Sequence, residues 1–289
     1  MPMLLGRILY TLVLIQNLVL GVVGTGRKLL CYMVVQESEV PLLEIANKFA
    51  WKAGPFKCDR TLIFGNEMSS LAVEKAGCDR IDVIEAIEGD TYVMNGGLYN
   101  STLNTPIFLQ VWHWLRDSKF FSGHITTKDN NVQPIGKNRY EWIVKIDPDT
   151  CFFPNKLKKL LRDHDGYKES TAMAAAVDAP QWIPGPIEVL SFAAMNTFLD
   201  NLDKCEKQCD VNMHGEDIWL MACINDNNLI SSTISDRSFL MWYEIKDFSF
   251  DREIDYVARH PLKNAQALRK CYNVHSNNDN ANNMTAIVK

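Results

Sequence analysis

Short apolar runs alternate along the chain with segments whose apolar residues recur at helical spacing. Continuous or alternating apolar runs indicate strands, whereas recurrence every three or four residues indicates helices. Regular alternation of the two predicts an α/β fold with a sheet of parallel strands. The predicted strands are 29–35, 61–64, 81–87, 140–146, 172–177 and 253–257, and the predicted helices are 40–53, 106–116, 154–163, 191–202 and 215–225.

The first residues of the chain form an uncharged, apolar run. It covers residues 8–26, between Arg7 and the pair Arg27–Lys28, and its length is close to the ~20 residues that span a bilayer as a helix. Small residues near its end also suit a signal-peptidase site. Residues 1–26 are therefore predicted to be a cleaved signal peptide or a signal-anchor, with a buried N-terminal helix as the weaker alternative.

Either favoured interpretation of the leader places the rest of the chain in the secretory pathway. The protein would then be in the ER or Golgi lumen, a type II membrane protein or a secreted one, and an uncleaved leader would be its membrane contact. Sequons at Asn100 and Asn283 agree with this compartment. No repeat or linker interrupts residues 29–275, so one domain is predicted there, followed by a polar tail at 276–289.

Composition excludes two broad classes of protein. With 47% hydrophobic and 22% charged residues, the chain of 289 residues is too apolar to be intrinsically disordered. Its formal net charge of -5 lacks the basic excess of a nucleic-acid binder, so no nucleic-acid partner is expected.

The most informative segment for chemistry follows the predicted strand 140–146. There the sequence Asp147-Pro148-Asp149-Thr150, called the aspartate turn below, comes directly after a buried apolar run. Residues i and i+2 of an extended segment point the same way, so the two carboxylates can converge on one ion. Carboxylate oxygens suit Mg²⁺ or Mn²⁺, and such ions commonly bind substrate phosphates. A solvated turn without an ion is the alternative, because Asp and Pro favour turns for local reasons.

The aspartate turn lies within a longer pattern that resembles a known enzyme family. A W-hydrophobic-hydrophobic-K strand, an aspartate motif, a threonine and a helix near P-x-x-L are matched by Trp142, Lys145, Asp147, Asp149, Thr150 and Leu157. This pattern resembles glycosyltransferases of the fringe and core-1 galactosyltransferase type, and more closely a set of uncharacterised algal and protist hexosyltransferase-like proteins. The resemblance covers residues 29–272, with one departure: Pro148 replaces the middle acidic residue of the animal enzymes.

The resemblance implies a glycosyltransferase-A fold, in which a mixed, mostly parallel sheet is flanked by helices, with a Rossmann-like nucleotide-binding half. It also implies metal-dependent transfer of a hexosyl unit from a nucleotide-sugar to a hydroxyl of a glycan, glycoprotein or lipid, with inversion. The cofactor would be Mn²⁺ or Mg²⁺, held by Asp147, Asp149 and a late histidine, His260. Asp217, in a Gly-Glu-Asp segment, would be the general base, with Glu216 as the fallback. The alternative for this acidic pair is simple stabilisation by a helix dipole.

Further binding residues are expected around this centre. The donor would contact loops after the first strands and the aspartate turn, through Gln36, Asn66, Lys145 and Asp147. The acceptor and the transferred sugar would contact the segment matching the family's glycine-rich element, through Gly185, Pro186 and Glu188, with Trp182 as a stacking platform. An ordinary turn and a core aromatic residue are the alternatives for Gly185-Pro186 and for Trp182.

The eight cysteines suit an oxidising lumen better than the cytosol. Cys205, Cys209 and Cys223 are interpreted as disulfide partners, because no histidine stands at zinc-ligand spacing among them, and their pairing stays open. Cys151 directly follows the aspartate turn and is expected to be a small buried hydrophobic residue rather than half of a bridge.

Two other functions remain open. The aspartate turn also resembles the haloacid-dehalogenase phosphatase signature, in which the first aspartate is the nucleophile. Cys151 stands where that signature requires Thr or Val, so this alternative is weaker. The other alternative is a catalytically inactive protein that keeps the glycosyltransferase scaffold to bind carbohydrate, since a fold does not determine a function.

Overall fold

The protein is described by a computed structural model. It describes residues 27–51, 53–77, 81–91, 95–96, 101–118, 124–126, 132–134, 140–174, 182–242 and 256–274. The predicted leader at 1–26, both sequons' asparagines and the predicted tail at 276–289 lie outside these residues. Within the described ranges, no helix combines the length and the hydropathy needed to cross a bilayer.

The central element is a seven-stranded sheet. Its strands are β1 (Leu29–Val34), β2 (Arg60–Gly65), β3 (Ile81–Glu85), β8 (Trp142–Ile146), β10 (Thr171–Ala174), β11 (Ile187–Ser191) and β12 (Ser232–Ser235). They lie in the order β12-β10-β11-β8-β1-β2-β3. Four neighbouring pairs are parallel, and β11 runs antiparallel to β8 and to β10. The predicted mixed, mostly parallel sheet flanked by helices is therefore confirmed.

Smaller sheets accompany the central one. Three strands form a second sheet in the order β13-β14-β9. The short strands of these smaller sheets are β4 (Asn95–Gly96), β5 (Ser101–Thr102), β6 (His124–Thr126), β7 (Val132–Pro134), β9 (Cys151–Phe152), β13 (Leu240–Trp242) and β14 (Ala258–His260). Strands β4 and β5 form one antiparallel pair, and β6 and β7 form another.

Along the chain, most helices connect one strand of the central sheet to the next. They are α1 (Val40–Lys48), α2 (Glu67–Lys75), α3 (Thr105–Asp117), α4 (Pro154–Leu160), α5 (Phe192–Asp200), α6 (Leu202–Gln208), α7 (Glu216–Asp226) and α8 (residues 265–274). Proline stands in the first turn of α1, α3 and α4, where its missing N–H costs no hydrogen bond. Asn66 and Ser191 cap α2 and α5 by accepting a backbone N–H.

The two faces of the sheet are buried by different helices. On one face, α3, α5 and α7 cover a large apolar cluster in which Trp112 stacks on Trp219 with ring centroids 5.5 Å apart. On the other face, α1, α8 and α4 cover two further clusters, together with residues of the second sheet. Because both faces are covered, the strands of the parallel half are nearly continuous apolar runs.

Most predicted elements are found, with shifts at their ends. The predicted helix 191–202 is two helices, α5 and α6, and the predicted helix 40–53 ends already at Lys48. Helix α2 was not predicted. The predicted strand 253–257 falls largely outside the described residues, and the strand there is β14 at Ala258–His260. The last three residues of predicted strand 172–177 also lie outside.

Three disulfides join described cysteines: Cys31 with Cys58, Cys151 with Cys271, and Cys205 with Cys223. Cys209 is the free cysteine of the described part. The expectation that Cys151 stays unpaired is wrong, because α8 brings Cys271 against the start of the second sheet. The interpretation of Cys205 and Cys223 as disulfide partners is confirmed, whereas that of Cys209 as a disulfide partner is wrong, because Cys205 and Cys223 pair with each other.

Candidate functional site

A cleft of about 480 Å³ opens at the carboxyl ends of β1 and β8. In open α/β sheets this edge is where ligands bind. Because β11 runs antiparallel, its first residues reach the same edge, and the N-terminus of α7 also lines the cleft. The cleft is lined by Val34, Gln36, Glu39, Thr91, Thr102, Asn104, Ile107, Phe108, Asp147, Pro148, Asp149, Gly185, Pro186, Gly215, Glu216, Asp217, His260 and Lys263.

The aspartate turn is fixed by backbone hydrogen bonds on both sides. The N–H of Asp147 donates to the carbonyl of Pro186 at 3.0 Å, and the N–H of Thr150 closes the turn onto the carbonyl of Asp147 at 3.0 Å. The carbonyl of Asp149 accepts from the N–H of Leu262 at 2.9 Å. The turn is therefore held between the segment that precedes β11 and the segment that follows β14.

Asp147, Asp149 and His260 form one cluster in this cleft. Their potential ligand atoms all lie within 4.8 Å of one another. Nε2 of His260 is 3.1 Å from Oδ1 of Asp149 and 4.0 Å from Oδ2 of Asp147. Burial would raise the pKa of Asp149, but the hydrogen bond and charge of His260 outweigh it, and the net pKa is lowered. Pairing of β14 with β9 brings His260 to the turn, because β9 begins one residue after Thr150.

The chemistry of this cluster fits a divalent cation. Two carboxylates and an imidazole are ligands that Mn²⁺ accepts. Their potential ligand atoms are close enough together for one ion to be held by all three side chains. Lys145 contacts Oδ1 of Asp147, which leaves Oδ2 facing the histidine.

Lys145 lies beneath the cleft rather than in it. It is 1% exposed, and its Nζ contacts Oδ1 of Asp147 at 2.7 Å, the carbonyl of Gly185 at 2.6 Å and Oε1 of Glu216. Burial alone would lower the pKa of this ammonium, but the carboxylates of Asp147, Glu216 and Glu188 raise it well above its ordinary value. Lys145 is therefore charged and joins three separate elements.

The acidic pair Glu216 and Asp217 begins α7. The N–H of Glu216 donates to Oδ1 of Asn104 at 2.9 Å, and the Glu216 carboxylate is paired with Lys145. The side chain of Asp217 lies toward Gly185, where a Cβ would stand 2.8 Å from Oδ2 of Asp217. Glycine thus permits this close approach. Burial, followed by the neighbouring charge of Glu216, raises the pKa of Asp217.

Glu188 is not among the described residues that line the cleft. It is 2% exposed and stands opposite Lys145 in the pairing of β11 with β8. Burial is the main cause that raises its pKa well above the ordinary glutamate value, and Lys145 opposes the shift only in part. Neither carboxyl oxygen has a hydrogen-bond partner among the described residues. Glu188 therefore lies behind the cleft, beside Lys145, and does not line it.

The remaining predicted residues separate into two groups. Gln36, Gly185 and Pro186 line the cleft. Asn66 does not: its side chain caps α2 and donates to the carbonyl of Gly89 at 3.0 Å. Trp182 lies in an adjoining pocket that also includes Asp217. Asp217 is thus shared by the two cavities.

Sequence reasoning missed Glu39, Lys263 and Asn104, which all line the cleft. Burial, with contributions from Asp147 and Asp149, raises the pKa of Glu39 to about 7. Glu39 also accepts the N–H of Gln36 at 2.9 Å, so the two side chains form a capping box after β1. The sequence offers only the positions of these residues as evidence that they line the cleft. Glu39 follows the end of β1, and Lys263 stands three residues after His260.

No protein-family model and no curated protein sequence matches this chain. Among solved structures, it is similar to a glycosyltransferase involved in the glycosylation of the major capsid of PBCV-1. That match has a TM-score of 0.43 at 7% identity and covers 86% of this chain and 99% of the other.

Two further structures are similar to a lesser degree. For the glycosyltransferase GlyE of Streptococcus pneumoniae TIGR4 the TM-score is 0.42 at 9% identity, and the match covers 73% of this chain but only 46% of GlyE. For core-mannan synthase A of Aspergillus fumigatus, in its Mn/GDP form, the TM-score is 0.36 at 9% identity, with 70% of each chain covered. What the site can do is therefore inferred from its own geometry.

Proposed function

We propose that this protein is a metal-dependent glycosyltransferase with a glycosyltransferase-A fold, of the fringe and core-1 galactosyltransferase type. It would transfer a hexosyl unit from a nucleotide-sugar to a hydroxyl of a glycan, glycoprotein or lipid. The observation that carries the proposal is the convergence of Asp147, Asp149 and His260 at the carboxyl end of β8, in a cleft that Asp217 also lines.

The charge of the cleft supports a role for a cation. Among the described lining residues, Lys263 carries the one ammonium group, whereas five side chains are carboxyls: Glu39, Asp147, Asp149, Glu216 and Asp217. An anionic diphosphate would be repelled by this set in the absence of a positive ion. A divalent ion held by Asp147, Asp149 and His260 would neutralise the charge of the leaving diphosphate.

Asp217 is assigned the role of general base. An acceptor hydroxyl must lose its proton as its oxygen attacks the anomeric carbon, and a positioned carboxylate can take that proton. Glu216 is less suited to this role, because its carboxylate is paired with the buried ammonium of Lys145. A base on the face opposite the leaving group corresponds to inversion at the anomeric carbon.

The donor and the compartment complete the proposal. The nucleotide would lie across the ends of β1 and β2, near Gln36, with Lys263 beside the diphosphate. Three disulfides among the described cysteines support an oxidising compartment, in agreement with the predicted leader and a luminal or secreted enzyme.

The metal role is tested by a donor screen. UDP-glucose, UDP-galactose, UDP-N-acetylglucosamine and GDP-mannose are each offered with Mn²⁺, and the melting temperature and donor hydrolysis are measured. A true donor raises the melting temperature only when Mn²⁺ is present.

Asp149→Ala should lower turnover more than about 100-fold, since mutating even a residue that only orients a metal ligand lowers metal affinity or activity by about 10–100-fold. Asp200→Ala, an exposed aspartate of α5, is the matched control. Full activity in Asp149→Ala would exclude the metal role.

The same screen tests the base and the non-enzymatic alternative. Asp217→Asn should lower transfer by about 10²–10⁴-fold while donor binding with Mn²⁺ persists, because a general base acts on the acceptor. Unchanged transfer would remove Asp217 from this role. Donor binding in the wild type with neither transfer nor hydrolysis for any acceptor would instead indicate an inactive carbohydrate-binding protein.

A further inference from the structure

A second cavity adjoins the cleft and shares Asp217 with it. It measures about 370 Å³, and its described lining consists of Trp182, Ile183, Asp217, Ile218 and Met221. A volume of this size is within the range of ligand pockets. Since Asp217 lines both cavities, a molecule in the second one can place a group beside the same residue that lines the cleft of Asp147, Asp149 and His260.

Most described residues that line this cavity are apolar, although it adjoins a cleft lined by several carboxylates. It offers an indole, two branched aliphatic chains and a thioether. The indole N–H and the Asp217 carboxylate are the polar side-chain groups of its described residues. A pyranose could lay one face on an indole, but each of its hydroxyls needs a hydrogen-bond partner or water. An alkyl or aromatic group has no such requirement.

Trp182 itself points to a ligand of this kind. It is 53% exposed although it is one of the largest apolar side chains of the protein. Exposed aromatic residues next to a site commonly anchor partners, because covering an indole removes a large apolar area from water. Ile218 and Met221 come from α7, the helix that also carries Asp217. The base and the apolar wall are therefore held in a fixed relation.

We propose that the acceptor is an alcohol with an apolar body, such as an alkyl or aromatic aglycone, that packs on Trp182 and Met221. Its hydroxyl then lies at Asp217. This inference rests on the proposed function, and it narrows the acceptor class from glycans, glycoproteins and lipids to amphiphiles whose apolar portion lies next to the reacting hydroxyl.

Binding of two glycosides that differ in one group tests the inference. The dissociation constants of n-octyl β-D-glucopyranoside, below its critical micelle concentration, and of methyl β-D-glucopyranoside are measured by calorimetry with UDP and Mn²⁺ present. The wild type should bind the octyl glycoside at least about tenfold more tightly, because the added methylenes leave water. Trp182→Ala and Met221→Gln should each reduce this ratio to less than about threefold. Trp51→Ala is the matched control, since Trp51 is an exposed indole outside both cavities and should keep the ratio.

Three results would overturn the inference. The first is equal affinity of the wild type for the two glycosides. The second is a preference for the octyl glycoside that persists in both variants, and the third is an equal decrease in affinity for both glycosides in Trp182→Ala. The last result marks a sugar-stacking platform. Donor hydrolysis with Mn²⁺ is measured on the same preparations. If the wild type prefers the octyl glycoside but never consumes any donor, the acceptor assignment fails through the proposed function and not through the pocket.

Discussion

Asp217 is the residue on which the proposed chemistry depends most directly. It lines both cavities, it lies in the first turn of α7, and its carboxylate lies close to Gly185. Its partial burial, together with the charge of Glu216, raises its pKa. A raised pKa makes a carboxylate a better proton acceptor while leaving it ionised above that pKa.

The pH dependence of transfer should report this shift. The base acts as the carboxylate, so activity is lost as the pH falls through its pKa. Because the pKa of Asp217 is raised, the acidic limb of kcat/KM should lie above the value of about 3.9 expected for an ordinary aspartate. The residual activity of Asp217→Asn should lack this limb, whereas Asp200→Asn should keep it. An acidic limb near pH 4, or one that persists in Asp217→Asn, would contradict the assignment of the base.

At the scale of elements, one buried ammonium joins the parts of the site. Lys145 of β8 contacts the aspartate turn, the carbonyl of Gly185 before β11 and Glu216 of α7. Tyr32 of β1 and Glu188 of β11 stand beside it in the strand pairing. In this arrangement Lys145, predicted to bind the donor, instead positions the aspartates of the proposed metal site and the acidic pair relative to one another.

Removal of this ammonium should be costly. Lys145→Met keeps the side chain's length but leaves Glu216 buried without its cation, which destabilises a protein by about 3–5 kcal/mol. Chemical denaturation measures the change in the free energy of unfolding. Lys168→Met is the matched control: its ammonium pairs with Asp165 at the surface, so its loss should leave the free energy of unfolding nearly unchanged. Equal stability of the two variants would mean that Lys145 is not the link between these elements.

Local patterns explain why part of this arrangement could be predicted. A buried strand shows as an apolar run, and two carboxylates at its end share a direction because of the strand's period of two. The position of Lys145 shows no such signal. A lysine inside an apolar strand suggests a ligand contact as readily as a buried ion pair, and only the position of α7, which places Glu216 at Lys145, decides between them.

Longer-range features of the site escaped prediction for the same reason. The resemblance identifies His260. Lys263 reaches the cleft because β14 pairs with β9, and Glu39 reaches it through the turn after β1. No local pattern encodes either arrangement. Helix α2 was missed because serines stand at two of its positions and weaken its apolar period. Cys151 was misjudged because its partner lies 120 residues further along the chain.

At the scale of the molecule, two disulfides join separate elements of the fold. The bond between Cys151 and Cys271 joins the start of the second sheet to α8. Cys151 is two residues beyond Asp149, and α8 closely follows His260 and Lys263. The bond between Cys205 and Cys223 joins α6 to α7 on the opposite face, within the apolar cluster around Trp219. The two bridges therefore differ in their relation to the metal cluster.

Removing each bridge separates a general stabilising effect from a specific one. The double variant Cys151→Ala/Cys271→Ala should lose about 2–5 kcal/mol of the free energy of unfolding. It should also bind Mn²⁺ more weakly, because the segment that carries His260 loses its covalent link to the aspartate turn. The matched variant Cys205→Ala/Cys223→Ala should lose stability but keep its affinity for Mn²⁺. Urea denaturation and calorimetric Mn²⁺ titration measure the two quantities. Equal weakening of Mn²⁺ binding in both variants would show that the bridges act only on global stability, and that the metal cluster does not depend on the tether between Cys151 and Cys271.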